Sequence, residues 1–337
     1  MTSISLSILI PTYNRAPLLK FLLMSICDDF RQWPDDLELI VIDNASTDET
    51  PCVAAGFIER GVPLKFIRNE QNIGMDANLA GCFGSATGKY FWQIGDDEIL
   101  YQGLASYVLS FCRTNDVGLL HVCSNGFLSD QQSYQRACAI PSRVNSALVD
   151  SLQLIRLANV YLTFISANVV NRQAILENNP DFDCRSEKNS YLPQLAWIFA
   201  ALKVRNVHQF IATPMFGALS GNTGGYNLVE VFCTNFTDIT RRHLSGIMPE
   251  ACSIVSNAAL LRVIPAQLWT QSGDKTKMKI LLNNDVFTEL NRIYKDNRYF
   301  NWLVHPLFSS NSWKRNVAFL AIRVFNWINR LCGFRFF

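Results

Sequence analysis

Asp96, Asp97 and Glu98 stand together in the run QIGDDE, a set of hard oxygen donors suited to a divalent cation such as Mg²⁺ or Mn²⁺. Upstream, the run ELIVIDNASTD ends in Asp43, Asn44, Ser46 and Asp48, a dense group of donors and acceptors. Earlier still, ISLSILIPTYN ends in Pro11, Thr12 and Tyr13. The apolar part of each run has the length of a buried parallel strand. Each polar turn therefore falls at the carboxyl end of a strand, where open α/β sheets bind their ligands. The set suits a nucleotide held by base and ribose at one strand end and by a metal-bound diphosphate at another. A cation there stabilises the negative charge that a diphosphate leaving group accumulates. Asp97 is the first candidate ligand, with Asp96 or Glu98 adding a second. Asp43 ends a buried strand, where an unpaired carboxylate is costly; a pyrimidine N3–H or a ribose hydroxyl would partner it. Pro11, Thr12 and Tyr13 would shape the base pocket, Tyr13 by stacking. The plainer alternative is that Asp43 and Ser46 organise a turn and cap a helix, and that the acidic trio is a solvated loop.

Asn72, Gly74, Asp76 and Asn78 form a second cluster. Gly74 permits close backbone approach, and Asp76 or Asn78 would meet ribose or sugar hydroxyls; an ordinary turn followed by a polar helix face is the alternative. The stretch Ser220-Gly221-Asn222-Thr223-Gly224-Gly225-Tyr226 either closes over a diphosphate with its backbone N–H groups or forms plain turns. His208 and His243 are isolated and read as structural or exposed.

The elements that must position these residues alternate. A strand at 4–10 leads to a helix at 16–27 with Pro17 in its first turn, where a missing N–H costs little. Strand 37–42 follows, then a helix at 49–60 that Ser46-Thr47-Asp48-Glu49 caps as a capping box. Strand 64–69, helix 75–86 and strand 89–94 complete a β-α-β-α-β-α-β rhythm, which argues for a parallel sheet with right-handed crossovers. Helix 101–113, strand 117–123, a polar loop at 124–147, a helix from 148 and a strand at 163–171 come next. Helix 190–202 and strand 204–211 end the alternation, and the glycine-rich 217–227 connects to a helical second half.

With 337 residues, half of them apolar, the chain has material for a sizeable core and no compositional mark of disorder. A net charge of +2 is too balanced to imply nucleic-acid binding. Its ten cysteines include no Cys-X-X-Cys, and four histidines are too few for a zinc site, so the thiols read as reduced and buried. The opening MTSISLSILIP has no basic region ahead of its apolar run and reads as a strand, not a signal peptide. No apolar run is long enough to span a membrane.

The tail differs. After Asp296 there is no acidic residue, while Arg298, Lys314, Arg315, Arg323, Arg330 and Arg335 accumulate among Trp302, Trp313, Phe319, Phe325, Trp327, Phe334, Phe336 and Phe337. On a helical projection Trp313, Val317, Leu320, Ala321, Val324, Trp327, Ile328 and Leu331 share one face. Arg315, Asn316, Arg323, Asn326, Asn329 and Arg330 share the other. Such a helix suits the surface of an anionic membrane; docking on the protein's own core, or a dimer contact, is the alternative.

The runs SILIPTYNRAPLLKFLLMSI, LIVIDNASTDET and RNEQNIGMDANLAGCFGSATGKYFWQIGDDE, in that order and spacing, resemble the amino-terminal half of a family 2 glycosyltransferase of the GT-A fold. The second half is more distantly similar to sugar transferases of O-antigen and capsule assembly, the abequosyltransferase-like branch included. One departure stands out: Gly95 precedes Asp96 where the family usually shows the first acid of Asp-X-Asp. The resemblance implies an α/β GT-A domain over 1–227, with a nucleotide-sugar half at 1–115 and an acceptor half at 116–227, and a helical extension at 228–337. It implies a metal-dependent hexosyl- or deoxyhexosyltransferase that moves one sugar from a nucleotide diphosphate sugar to a lipid-linked oligosaccharide at the inner face of the cytoplasmic membrane. It also implies that Asp43 meets the base and that the 72–78 cluster lies near the donor. Relatives place the base of an inverting transfer ahead of a helix, which here points to Glu187 first and Asp183 second; a retaining transfer needs no such base, and a solvated loop capped by Asn189 or Ser190 is the structural alternative. Gly95 leaves open a catalytically inactive sugar-nucleotide-binding scaffold. A nucleotidyltransferase is the other enzyme reading, although PTYNRAP lacks the glycine-rich phosphate loop.

Overall fold

In a computed structural model the described residues are 3–128, 139–219, 227–265 and 284–331. They divide into two compact units, one of residues 1–151 and 161–224, the other of residues 152–160 and 225–337.

The first unit is α/β. Its sheet holds nine strands: β1 Leu6–Thr12, β2 Leu37–Asp43, β3 Leu64–Arg68, β4 Tyr90–Gln93, β5 Glu98–Leu100, β6 Leu119–Leu128, β7 Ser146–Val149, β8 Asn168–Asn171 and β9 His208–Leu219. The order is β3-β2-β1-β4-β8-β6-β9-β5, with β7 also on β9. The β3-β2-β1-β4 half is wholly parallel. Helices α1 Ala16–Asp28, α2 Thr50–Glu59 and α3 Met75–Ser85 make its crossovers, and α4 Leu104–Thr114 follows β5. Ile8, Ile10, Leu39, Val41, Tyr90 and Trp92 are buried in the core, against Leu19, Leu22, Leu23 and Ile26 of α1. Apolar residues on successive positions of β1 and β2 fit strands covered on both faces.

Beyond β4 the sheet becomes mixed: β8 inserts between β4 and β6 and pairs antiparallel with both, whereas β6 and β9 run parallel. The expected loop at 124–147 is partly strand: β6 runs on to Leu128, and Ser146–Val149 pairs with β9. Of the expected strand 163–171 only Asn168–Asn171 is extended, behind the short 3₁₀ turns Asn159–Thr163 and Ile165–Ala167. The helix expected from 190 begins at Leu195, because Asn189 and Tyr191 take positive φ and Pro193 follows. His208 is buried, its Nε2 2.9 Å from Ser151 Oγ, a structural histidine. The segment Ser220–Tyr226 lies outside the described residues.

The second unit is helical. It includes Phe236–Leu244, Pro249–Ala258, Asn284–Tyr294 and Ser312–Leu331, with π turns at Val229–Asn235, Ala259–Val263 and Phe300–Val304 and a 3₁₀ turn at His305–Phe308. Tyr294 anchors it, donating its hydroxyl to the Cys233 carbonyl at 3.0 Å. No helix among the described residues is long and apolar enough to cross a membrane.

Candidate functional site

Register aligns the site. Thr12 pairs with Asp43 across β1 and β2, and Asp43 with Arg68 across β2 and β3, so three polar side chains end three neighbouring parallel strands in one row. Leu9 of β1 pairs with Gln93 at the end of β4. The chain beyond β4 then brings Asp96 to Thr12, whose Oγ1 donates to Asp96 Oδ2 at 2.8 Å.

Asp43 is fully buried. Its Oδ1 accepts from Ser46 N at 3.0 Å, and its Oδ2 has only Arg68 Nε, 3.3 Å away and outside hydrogen-bond geometry. Arg68 also donates to the Ser46 carbonyl at 2.6 Å. Ser46 and Glu49 do not form the expected capping box. The Ser46 hydroxyl instead accepts from Asn14 N at 2.8 Å, and Asp48 holds the turn by accepting from Thr50 N and Ala16 N, both at 3.0 Å. Asp48 thus ties the start of α1 to the start of α2. Tyr13 is 42% exposed beside this turn.

Asn44 organises the neighbouring cluster. Its Nδ2 donates to Asn72 Oδ1 at 2.8 Å, while its Oδ1 accepts from Asn69 Nδ2 and from Ile73 N, both at 3.0 Å. Asn69 also donates to Asn78 Oδ1 at 2.9 Å. Asn44, Asn72 and Asn78 therefore use their amides within this network. Gly74, at φ +85°, turns the chain into α3 as a side chain would resist doing. Asp76 reaches elsewhere: its Oδ2 accepts from Ser190 N at 2.9 Å and Tyr191 N at 3.0 Å, while its buried Oδ1 has no hydrogen-bond partner. Burial pushes its carboxyl up, against the pull of these amides. Asp76 thereby fixes the segment that carries Glu187, which is buried, and Asp183, which is exposed and accepts from Arg185 N at 2.8 Å.

The acids after β4 divide their work. Asp96 is buried between Thr12 and Arg15, whose Nη1 lies 2.8 Å from Asp96 Oδ1 and 3.8 Å from Asp97 Oδ2. Burial pushes the Asp96 carboxyl up to about 6, against the opposing pull of Arg15. Glu98 begins β5, a strand the sequence does not disclose, and Ser166 Oγ donates to its Oε1 at 3.1 Å. The same Ser166 hydroxyl accepts from Gly95 N at 3.0 Å. Burial, then the charge of Asp97, pushes Glu98 well above the usual carboxylate range, and its Oε2 has no hydrogen-bond partner.

These residues fit a divalent cation on Asp97 and Glu98. A Cβ placed on Gly95 would lie 2.9 Å from Asp97 Oδ1 and 3.4 Å from Glu98 Oε1, so both carboxylates border the same glycine. A cation offsets their mutual repulsion and the burial of Glu98. Among the described residues no three His, Cys, Asp or Glu side chains form a metal cluster. Asp97 and Glu98 would thus be the two carboxylates to hold such a cation, short of a full ligand set from the described residues.

Sequence reasoning misses Arg15, Arg68, Asn69 and Ser166. Arg15 and Arg68 are the most accessible to it, since each is a cation closely following a strand end or ending a strand beside a buried acid.

Residues 7–178 match the family model described as Glycosyl transferase family 2. Abequosyltransferase RfbV of Salmonella typhimurium is 36% identical over 96 residues, which are 28% of this chain and 28% of that protein. The GalNAc(5)-diNAcBac-PP-undecaprenol beta-1,3-glucosyltransferase of Campylobacter jejuni is 31% identical over 122 residues, 36% of this chain and 37% of that protein. Both matches therefore span little more than a third of these relatives' lengths at most. The structure of S. aureus TarS 1–349 in complex with UDP-GlcNAc superimposes with a TM-score of 0.58 at 15% identity, over 94% of this chain and 90% of that one, a likeness of fold.

Proposed function

The chain belongs to glycosyl transferase family 2, and from that premise we propose that it moves a single sugar from a pyrimidine nucleoside diphosphate sugar to a lipid-linked saccharide, in the assembly of a bacterial surface polysaccharide. The observation that carries this reading is the row Arg68, Asp43 and Thr12 at neighbouring strand ends, continued by the Asp96–Glu98 acids. One end of the row has a buried acceptor for a base N3–H or ribose hydroxyl, and the other has carboxylates for a metal. The names of the relatives, an abequosyltransferase and a transferase acting on a diphospho-undecaprenol saccharide, support the acceptor class.

In this reading residues 1–115 supply the donor half of the 1–227 domain and 116–227 the acceptor half. Pro11, Thr12 and Tyr13 border the base, and Tyr13 stacks on it. Asp43 receives the base or ribose, with Asn44 and Ser46 holding the turn in shape. Asn72, Gly74 and Asn78 set the wall beside the sugar. Asp97 and Glu98 hold Mg²⁺ or Mn²⁺, which when bound offsets charge on the departing diphosphate. Thr12 and Arg15 keep Asp96 in place beside them. Glu187, or Asp183, takes the proton of the acceptor hydroxyl as it attacks the anomeric carbon. Asp76 positions the segment that carries both.

The helix Ser312–Leu331 supports a seat at the inner face of the membrane. Its predicted apolar face is exposed, Trp313 by 69% and Trp327 by 63%, along with Val317, Leu320, Val324 and Ile328. The opposite side packs on the second unit through Ala318 and Ile322, and Asn326 donates to the Leu261 carbonyl at 2.8 Å. Asn326 and Asn329, expected on a solvated face, are instead half-buried and buried. The bare strip is flanked by exposed Lys314 and Arg323, which suits anionic lipid.

Thermal stabilisation by UDP, CDP, dTDP and GDP, with and without Mn²⁺, tests the reading. A shift with one pyrimidine diphosphate that grows with Mn²⁺, and loses that growth in Asp97→Ala, is expected; a ligand at a hundred times its Kd adds about 2.7 kcal/mol. No shift with any nucleotide in folded protein would favour the inactive scaffold.

A further inference from the structure

Tyr191 takes φ +61°, in the left-handed region where a bulky side chain is rare. Asn189 does the same at φ +62°, but asparagine tolerates that conformation. Hydrogen bonds on both sides hold Tyr191 there. Asp76 Oδ2, from α3, accepts from Ser190 N at 2.9 Å and from Tyr191 N at 3.0 Å. Ser190 Oγ donates to the Glu187 carbonyl at 2.5 Å and accepts from Leu192 N at 3.0 Å, closing the turn. Glycine would take this backbone without steric cost. A bulky residue persists in such a conformation where its surroundings enforce it, and strain of this kind gathers at ligand and active sites.

The core does not account for the ring. Every residue from Leu192 to Leu202 is buried, yet Tyr191, at the head of that run, is 43% exposed. The strained turn therefore presents an aromatic side chain at the surface, four residues along the chain from Glu187. An aromatic face carries negative charge density and attracts polarised C–H groups. A pyranose supplies them, because its C–H bonds gather on the faces of the ring while its hydroxyls point around the rim. We propose that Tyr191 is a platform for the acceptor saccharide, which stacks a C–H face on the phenol ring, so that one turn carries both the acceptor's recognition and the candidate base. The proposal rests on the saccharide acceptor proposed above and deepens it: the acceptor sugar is selected by the shape of a ring face, with Asp76 and Ser190 as the positioning residues.

Saturation-transfer NMR on the full chain, with UDP and Mg²⁺ and again without them, tests the platform. The probes are methyl β-galactoside, methyl β-glucoside, methyl α-mannoside and methyl α-rhamnoside. At least one is expected to bind, with the strongest transfer to the C–H protons of one ring face. Tyr191→Phe should keep that binding, and Tyr191→Gly should weaken it about five- to tenfold, the worth of one aromatic contact. Tyr191→Gly should also melt no lower than wild type, because glycine relieves the left-handed strain, and its thermal stabilisation by UDP should be unchanged. A lower melting temperature would show that the tyrosine is kept for packing, and would overturn the proposal. No transfer to any of the four probes in folded wild type, or transfer that Tyr191→Gly leaves unmoved, overturns it too. Loss of the UDP response in Tyr191→Gly would give the ring to the nucleotide instead. Wild type that binds a glycoside but is not stabilised by UDP would sink the donor reading and uphold this site, so the two failures are told apart.

Discussion

Replacing Arg68 with glutamine tests whether the row of strand-end residues is held together electrostatically. Asp43 is 0% exposed, and apart from Ser46 N its near neighbour is Arg68 Nε, 3.3 Å from Oδ2. Removing one partner of a buried pair leaves an uncompensated charge, at about 3–5 kcal/mol. The Arg68 side chain is 48% exposed, so water screens part of the pair and the ionic share falls to about 1–2 kcal/mol. Loss of the donation to the Ser46 carbonyl adds about 0.5–1 kcal/mol. A total near 2 kcal/mol lowers the melting temperature of a domain this size by about 4–8 °C. The assay is thermal unfolding of four proteins: wild type, Arg68→Gln, Asp43→Asn and the double variant. In the Asp43→Asn background there is no charge to hold, so Arg68→Gln should then cost only the Ser46 share, leaving a coupling of about 1–1.5 kcal/mol. Equal costs in both backgrounds would refute the electrostatic argument, and UDP affinity could no longer be traced through a fixed Asp43.

Three further outcomes follow from the geometry. Gly95→Ala places a methyl 2.9 Å from Asp97 Oδ1; it should cost about 1–3 kcal/mol and weaken Mn²⁺-dependent UDP binding, whereas unchanged metal dependence would remove Asp97 from the cation site. Asp76→Asn should lower the transfer rate about tenfold with the UDP Kd within about twofold if its bonds to Ser190 N and Tyr191 N are what it contributes; a parallel rise in Kd would place it in the donor pocket. Burial pushes His121 and His208 down from 6.5 to about 4. Both are neutral in the fold, so their stabilisation is present above pH 6.5 and is lost as pH falls toward 4, by at most about 3 kcal/mol each. Urea midpoints should drop across that window and drop less in His121→Gln; parallel curves would show that His121 does not titrate there.

The parallel half of the fold is legible because β1, β2 and β4 are covered on both faces and so read as short apolar runs between turns. Their ends carry the acids that the structure does gather, and the resemblance already places Asp43 and Asp97 at opposite ends of one site. What stays hidden depends on partners distant in sequence. β5 is three residues long and exists through its pairing with β9. β7 is mostly exposed and carries little apolar pattern. Local spacing favours a capping box at Ser46, whereas its hydroxyl is taken by Asn14 from a different strand end. Asp76 reads as a donor ligand because the amides of Ser190 and Tyr191, more than a hundred positions away, leave no mark on the local pattern.

The single hydroxyl of Ser166, between Gly95 N and Glu98 Oε1, bears on how such enzymes can be recombined. A donor module cut at residue 115 would leave Ser166 behind, and with it β8, the strand that covers the β4 edge at Tyr90, Phe91 and Trp92. The severed piece would present an apolar edge strand to its neighbours, a template for aggregation. A chimera meant to keep one donor and exchange the acceptor must therefore carry residues 166–171 with the amino-terminal half, or match them in the incoming half. For grafting, the amino-terminal half of the sheet is completed by a segment distant in sequence, Ser166 and β8, that a linear division at 115 would assign elsewhere.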